Sequence, residues 1–147
     1  MACVTVVRNI SAPPDAVFHT VADPERFTKA IVGVTRLEFL TKTTSGVGTR
    51  FRQTRLMKGK PSTMDFEITE YVENQRVRIV NQTHGTVWDS VFTIEPEGAT
   101  TRLTMRMDAK TEQRAVRFML PFVCFLVRKA VGVDLDDVKA ACEGRRT

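Results

Sequence analysis

Val4-Thr5-Val6-Val7-Arg8-Asn9-Ile10-Ser11-Ala12-Pro13-Pro14-Asp15-Ala16-Val17-Phe18 decides how the chain reads. Val4, Val6 and Ile10 alternate with Thr5 and Asn9, and that period of two predicts a strand. Arg8 interrupts the apolar face, as at a sheet end. Ser11-Ala12-Pro13-Pro14-Asp15 then stops the strand. Proline is tolerated in the first turn of a helix, where its missing N–H has no partner to lose, so Ser11 or Pro13-Pro14 opens a helix. Val17, Phe18 and Val21 form its apolar side. Asp23-Pro24-Glu25 caps a second short helix carrying Phe27 and Ile31, which Gly33 ends.

Outward from there, alternation dominates from about Val34 to Asp108. Leu37 and Phe39 alternate with Arg36 and Glu38. Ser45-Gly46-Val47-Gly48 is a turn. Thr49 to Met57 reads as a strand with Phe51, Gln53, Arg55 and Met57 on one face. Lys58-Gly59-Lys60-Pro61-Ser62 reads as a loop. Met64, Phe66 and Ile68 oppose Asp65, Glu67 and Thr69, and Glu73-Asn74-Gln75 turns the chain. Val77, Ile79, Asn81 and Thr83 face away from Arg78 and Gln82, and His84-Gly85 is the next turn. Trp88, Ser90, Phe92 and Ile94 oppose Asp89 and Thr93. Glu95-Pro96-Glu97-Gly98 reads as a hairpin loop, and Leu103, Met105 and Met107 then oppose Arg102, Thr104 and Arg106. Short strands joined by turns make an antiparallel meander.

A single long apolar segment, Phe118 to Glu143, closes the chain. Ala109 to Arg117 reads as irregular or weakly helical, and Pro121 as the start or a kink of the last helix. Val123, Leu126, Val127, Ala130, Val131, Leu135, Val138 and Ala141 recur at three- and four-residue steps, an amphipathic pattern. Phe118 to Val127 is too short to span a bilayer. It reads as a buried helix, or else as a membrane-surface helix, since Arg117, Arg128 and Lys129 bracket it.

The 147 residues, 42% of them hydrophobic, suffice for a domain with a real core. No linker, charge block or repeat divides them, so one domain over residues 1–147 is expected. The net charge of +5 is scattered along strands: Arg50 and Arg52, Arg76 and Arg78, Arg102 and Arg106. Glu67 and Asp89 stand at comparable positions on neighbouring strands. That pattern reads as a solvated sheet face with cross-strand pairs, and not as a nucleic-acid surface. Cys3, Cys124 and Cys142 show no spacing of a zinc site or a disulfide framework. Without a charged and then apolar leader at the start, a cytoplasmic location is expected.

Ile10 to Phe18 and Ala22-Asp23-Pro24-Glu25 resemble the opening of the START-like (SRPBCC) superfamily. Leu37-Glu38-Phe39-Leu40 and Gly46 to Arg52 resemble its second strand, turn and third strand. Phe92 to Pro96 with Thr101 to Thr104 is similar to its late hairpin, and Asp134 to Lys139, ending in Glu143, to its closing helix. The order and spacing are closest to the polyketide cyclase/dehydrase-like branch. The resemblance implies an α+β helix-grip fold: a curved antiparallel sheet of about six to seven strands around a long C-terminal helix, with two short helices after the first strand. It also implies an internal cavity for a small hydrophobic ligand.

If Phe51, Phe66, Trp88, Phe92 and Leu103 face inward, alternation brings Gln53, Arg55, Ile68, Ile79, Asn81, Ser90 and Met105 with them. A buried polar group without a partner costs about 1–3 kcal/mol, so these side chains should pair with each other, with water or with a ligand. Arg55 suits a carboxylate or phenolate, while Asn81 and Ser90 suit a carbonyl; the plainer alternative is that they satisfy one another near strand ends. Phe118, Phe122, Val123, Leu126 and Val127 form the expected helix wall. Catalytic candidates are weak: Arg55, and His84 beside its turn glycine. His19 and Tyr71 read as ordinary surface or strand residues. No metal-ligand spacing or dinucleotide fingerprint is present, so neither metal nor cofactor is expected. The first reading is therefore a non-catalytic binder of a lipid or polyketide-like molecule, monomeric or homodimeric. A cyclase/aromatase or dehydratase, and a membrane-surface or protein-interaction module, are the alternatives.

Overall fold

The computed structural model describes residues 3–83 and 85–144. The elements run β1 (Val4–Ile10), α1 (Pro14–Ala22), α2 (Pro24–Ala30), β2 (Val34–Phe39), β3 (Arg50–Met57), β4 (Lys60–Val72), β5 (Arg76–Thr83), β6 (Thr86–Glu97), β7 (Thr100–Thr111) and α3 (Arg114–Cys142). The seven strands form one open sheet in the order β1-β7-β6-β5-β4-β3-β2, every pair antiparallel. Only β1 leaves sequence order, crossing to pair with β7. The two short helices fill that crossing, and α3 returns against β1, β7, α1 and α2. This is the helix-grip architecture.

Local chemistry explains most boundaries. Pro13 and Pro14 stand at the N-cap and first position of α1, and Pro24 opens α2. Asp23 sits at the N-cap of α2 but makes no side-chain cap bond, contrary to the sequence expectation; its carboxylate lies 3.8 Å from Arg26 instead. The expected loop at Lys58–Ser62 is a two-residue turn. Lys58 and Gly59 both take positive φ, 54° and 78°, as a tight hairpin requires. Pro61 therefore lies inside β4, opposite Leu56, in a stretch that β5 does not reach because their pairing starts at Phe66. Its missing N–H loses no ladder bond there. β6 likewise runs through Pro96 to Glu97, and β7 continues to Thr111 where irregular chain was expected. The last helix starts at Arg114, so Pro121 is internal to it.

A bulge between Ile68 and Glu70 resets the alternation of β4. Tyr71 therefore shares a side with Val77 and meets the ring of Phe18 at 5.1 Å between centroids. The outer sheet face carries the expected cross-strand pairs: Arg52–Asp65 at 2.7 Å, Arg102–Glu97 at 2.7 Å, and Arg78–Asp89. The core joins Val4, Val6, Ile10, Phe18, Ile68, Val77, Ile94 and Leu103 to Val131, Leu135 and Val138 of α3. Those three helical residues bury at three- and four-residue steps, which is one face of a helix.

Cys3 and Cys124 form a disulfide, with Cα atoms 5.6 Å apart, and Cys142 is free. Sequence spacing gave no sign of this pairing, because the partners are 121 residues apart and only the β1–α3 contact unites them. The bond staples the N-terminal half of α3 to the edge strand. A reducing cytoplasm, the expected setting, would leave these two as a neighbouring dithiol. Closing so long a loop stabilises a fold by up to about 5 kcal/mol through the unfolded chain. Dithiothreitol, or Cys3→Ser, is therefore expected to lower the urea midpoint clearly. An unchanged midpoint would mean that the staple carries no stability.

Candidate ligand cavity

β3 places Phe51, Gln53, Arg55 and Met57 on the concave side of the sheet, because residues two apart share a face. β4 adds Ser62, Met64 and Phe66; β5 adds Ile79, Asn81 and Thr83; β6 adds Trp88, Ser90 and Phe92; β7 adds Met105 and Met107. Val127, Ala130, Val131, Asp134 and Leu135 come from α3. Val21, Ala22, Pro24 and Phe27 of the short helices close one end. Together they line a cavity of about 340 Å³ that opens to one side. Its walls are mostly apolar, with a few polar groups, as in small-molecule sites of about 300–1,000 Å³. A shallower hollow of about 420 Å³ lies between Ser11–Pro14 and the β6–β7 turn. No titratable or large apolar side chain lines it, so it offers a ligand little to hold.

Phe51 and Phe66 are cross-strand neighbours and stack with centroids 5.3 Å apart, forming one aromatic wall. Asn81 is buried; its amide donates to the Asp65 carbonyl at 3.0 Å, and its oxygen accepts from Thr83 Oγ1 at 2.9 Å. Gln53 is buried too. Among the described residues the cavity holds one charged pair, Arg55 Nη2 to Asp134 Oδ2 at 3.0 Å, the side chains 18% and 20% exposed. Arg55 Nε is buried with no partner among the described residues. Burial pushes the Asp134 carboxyl above the usual carboxylate range, and Arg55 opposes the shift without cancelling it.

Of the expected sheet wall, Phe51, Gln53, Arg55, Phe66, Ile79, Asn81, Trp88, Ser90, Phe92 and Met105 line the cavity. Ile68 and Leu103 do not: both are fully buried in the core beyond it. The expected helix wall is largely corrected. Val127 alone lines the cavity; Val123 is half-buried, while Phe118, Phe122 and Leu126 are 85%, 58% and 50% exposed. The helix turns its later residues inward, through Val131 and Leu135. His84 lies outside the described residues. His19 Nε2 is paired with Glu73 at 2.7 Å, away from the cavity. Among the described residues no three His, Cys, Asp or Glu side chains cluster as a metal site.

Residues 1–143 match the family described as "Polyketide cyclase / dehydrase and lipid transport". The chain belongs to that family. No match was found among curated proteins by sequence. Solved structures share the fold. TTHA0849 from Thermus thermophilus superposes with a TM-score of 0.77 at 21% identity, covering 98% of this chain and 99% of that one. The di-domain ARO/CYC StfQ from the steffimycin biosynthetic pathway gives 0.76 at 12% identity, over 96% of this chain and 50% of that one. The major latex-like protein 151 of Panax ginseng gives 0.73 at 14%, over 95% of each chain. At these identities the likeness is one of fold, and the START-like assignment stands on the family match and the shared architecture together.

Asp134 is the charged lining residue absent from the sequence expectation, beside apolar ones such as Phe27, Met64, Val131 and Leu135. The signal was present: an acid stands inside the apolar helical stripe between Val131, Leu135 and Val138. A carboxyl whose folded pKa is raised stabilises the fold below its ordinary range, and that contribution is lost as pH rises through the raised value. Asp65 and Asp89, held low by Arg52 and Arg78, act in the opposite sense and lose stability as pH falls. Asp134→Asn is therefore expected to gain stability relative to the parent as pH rises above 3.8. Urea midpoints of both proteins across that range would show it, and parallel curves would refute it.

Proposed function

We propose that this protein, as one START-like domain over residues 1–147, binds a small amphipathic molecule in the cavity between sheet and α3. The supporting observation is a single one: an apolar hollow of about 340 Å³ with one charged pair, Arg55–Asp134, set in its wall. The apolar body would lie against Phe51, Phe66, Trp88, Phe92 and the methionines. Met57, Met64, Met105 and Met107 supply flexible, polarisable surface that adapts to irregular shapes. An acceptor group, such as a carboxylate, phenolate or carbonyl, would meet Arg55, whose buried Nε still has a bond to give.

Asp134 competes with the ligand for Arg55. Protonating Asp134 releases the guanidinium, so a permanently anionic ligand should bind more tightly as pH falls towards the raised Asp134 value. The probe to use is anilinonaphthalene sulfonate, which stays charged throughout. We expect Arg55→Met to weaken its binding, and Asp134→Asn to strengthen it, each by about tenfold, the size of one charged hydrogen bond. Ser90→Trp should abolish binding by filling the hollow, and Arg52→Glu on the outer face should leave it unchanged. Equal effects from all four substitutions would contradict the site. Native mass spectrometry of the freshly purified protein, with organic extraction, would identify any molecule it already carries.

One observation favours an enzymatic second reading, a cyclase or dehydratase on a β-keto chain. A carboxyl with raised pKa stands beside a guanidinium inside the cavity, a pairing suited to proton transfer next to a developing enolate. Turnover of a β-keto substrate that Asp134→Asn abolishes without loss of binding would establish it.

A further inference from the structure

α3 carries a second apolar surface, on the side opposite its buried stripe. Phe118 is 85% exposed, Phe122 58%, Phe125 56%, Leu126 50% and Met119 48%. They belong to one face, because residues three and four apart on a helix are neighbours. No described residue packs them into the core. Single exposed apolar side chains are ordinary, but three phenylalanines in successive turns form a patch, and patches mark interaction sites.

The rims of the patch identify what it fits. On one side, Leu126 stands a turn before Ala130, which lines the cavity and is itself exposed, so the patch runs to the cavity edge. On the other stand Arg114, Arg117 and Arg128, with Lys129 placed 4.6 Å from the Phe125 ring centre. From residue 113 to residue 133 the chain holds no acidic residue. None of these four cations makes an ion pair with a described residue; Arg117 donates to the Thr111 carbonyl at 3.1 Å. Apolar aromatics beside uncompensated cations match the boundary of an anionic bilayer, where rings enter the acyl region and cations meet headgroup phosphates. A second copy of the chain fits less well, since a two-fold contact would set the same cations against each other. No helix among the described residues is long and apolar enough to cross a membrane, so the contact would be peripheral.

We propose that the N-terminal half of α3 docks the protein on anionic lipid bilayers, with the cavity edge beside the membrane. This surface is separate from the cavity walls, so it can fail or hold independently of the ligand reading. The test is co-sedimentation with vesicles of phosphatidylcholine alone and of phosphatidylcholine with phosphatidylserine, at low salt and at about 0.15 M salt. Binding to the anionic vesicles, weakened by salt and weaker still on the neutral ones, is expected. Arg128→Glu with Lys129→Glu should reduce it by about tenfold or more. Phe118→Ser with Phe122→Ser, at exposed positions that the fold does not need, should reduce it similarly. Ser90→Trp should leave it intact. Absence of binding at low salt, or binding indifferent to both double variants, would overturn the proposal. So would a concentration-dependent dimer in light scattering that Phe122→Ser disperses, because it would assign the patch to a second copy.

Discussion

Everything in this molecule depends on how α3 is anchored. Its C-terminal half buries Val131, Leu135 and Val138 against β1 and α1, each worth roughly 1.5–3 kcal/mol of burial. Arg8–Asp136 at 2.7 Å and the Lys139 ammonium on the Asn9 carbonyl at 2.6 Å fix the same half laterally. A helix held by these contacts, and by the Cys3–Cys124 bond in its other half, lies along the edge strand and does not fill the concave sheet. The space between helix and sheet is the cavity, and the side of the helix turned away from the core carries the aromatic patch. One packing arrangement thus produces an interior surface and an exterior one.

The cavity is apolar because sheet alternation makes it so, and it is polar where the alternation places Gln53, Arg55, Asn81 and Ser90. Asn81 commits its amide to the Asp65 carbonyl and Thr83, so it shapes the wall more than it awaits a partner. Arg55 differs. Its only side-chain partner among the described residues is a carboxylate that burial itself discourages from ionising. An incoming anion would rearrange a pair so balanced more easily than the buried amides, and the proposed ligand preference rests on it.

Much of the fold was legible in the residues. The two-residue period from Val34 to Asp108 and the proline-led helices fixed element type, and Phe51, Gln53, Arg55 and Met57 were correctly placed on one face. Three of the features that escaped show why the rest was not legible. The Lys58–Gly59 turn looked like a loop because Pro61 suggests broken structure, and only the stagger of β5 shows that proline is harmless there. The Cys3–Cys124 pairing depends on tertiary contact and has no local signature. Large apolar side chains at Phe118, Phe122 and Leu126 suggest an inward helix wall, but they face outward. Periodicity reveals that a helix has an apolar stripe, but a helix apolar on two sides does not reveal which side the sheet covers.

The most direct test of the cavity as the binding site is methyl NMR of the protein titrated with an apolar anion such as anilinonaphthalene sulfonate. Saturable shifts are expected at Ile79, Met105, Met107 and Val127, which line the cavity, and none at the distant, exposed Val47. Shifts confined to Met119, Leu126 and Val133 on the outer face of α3, with the cavity methyls unmoved, would contradict it.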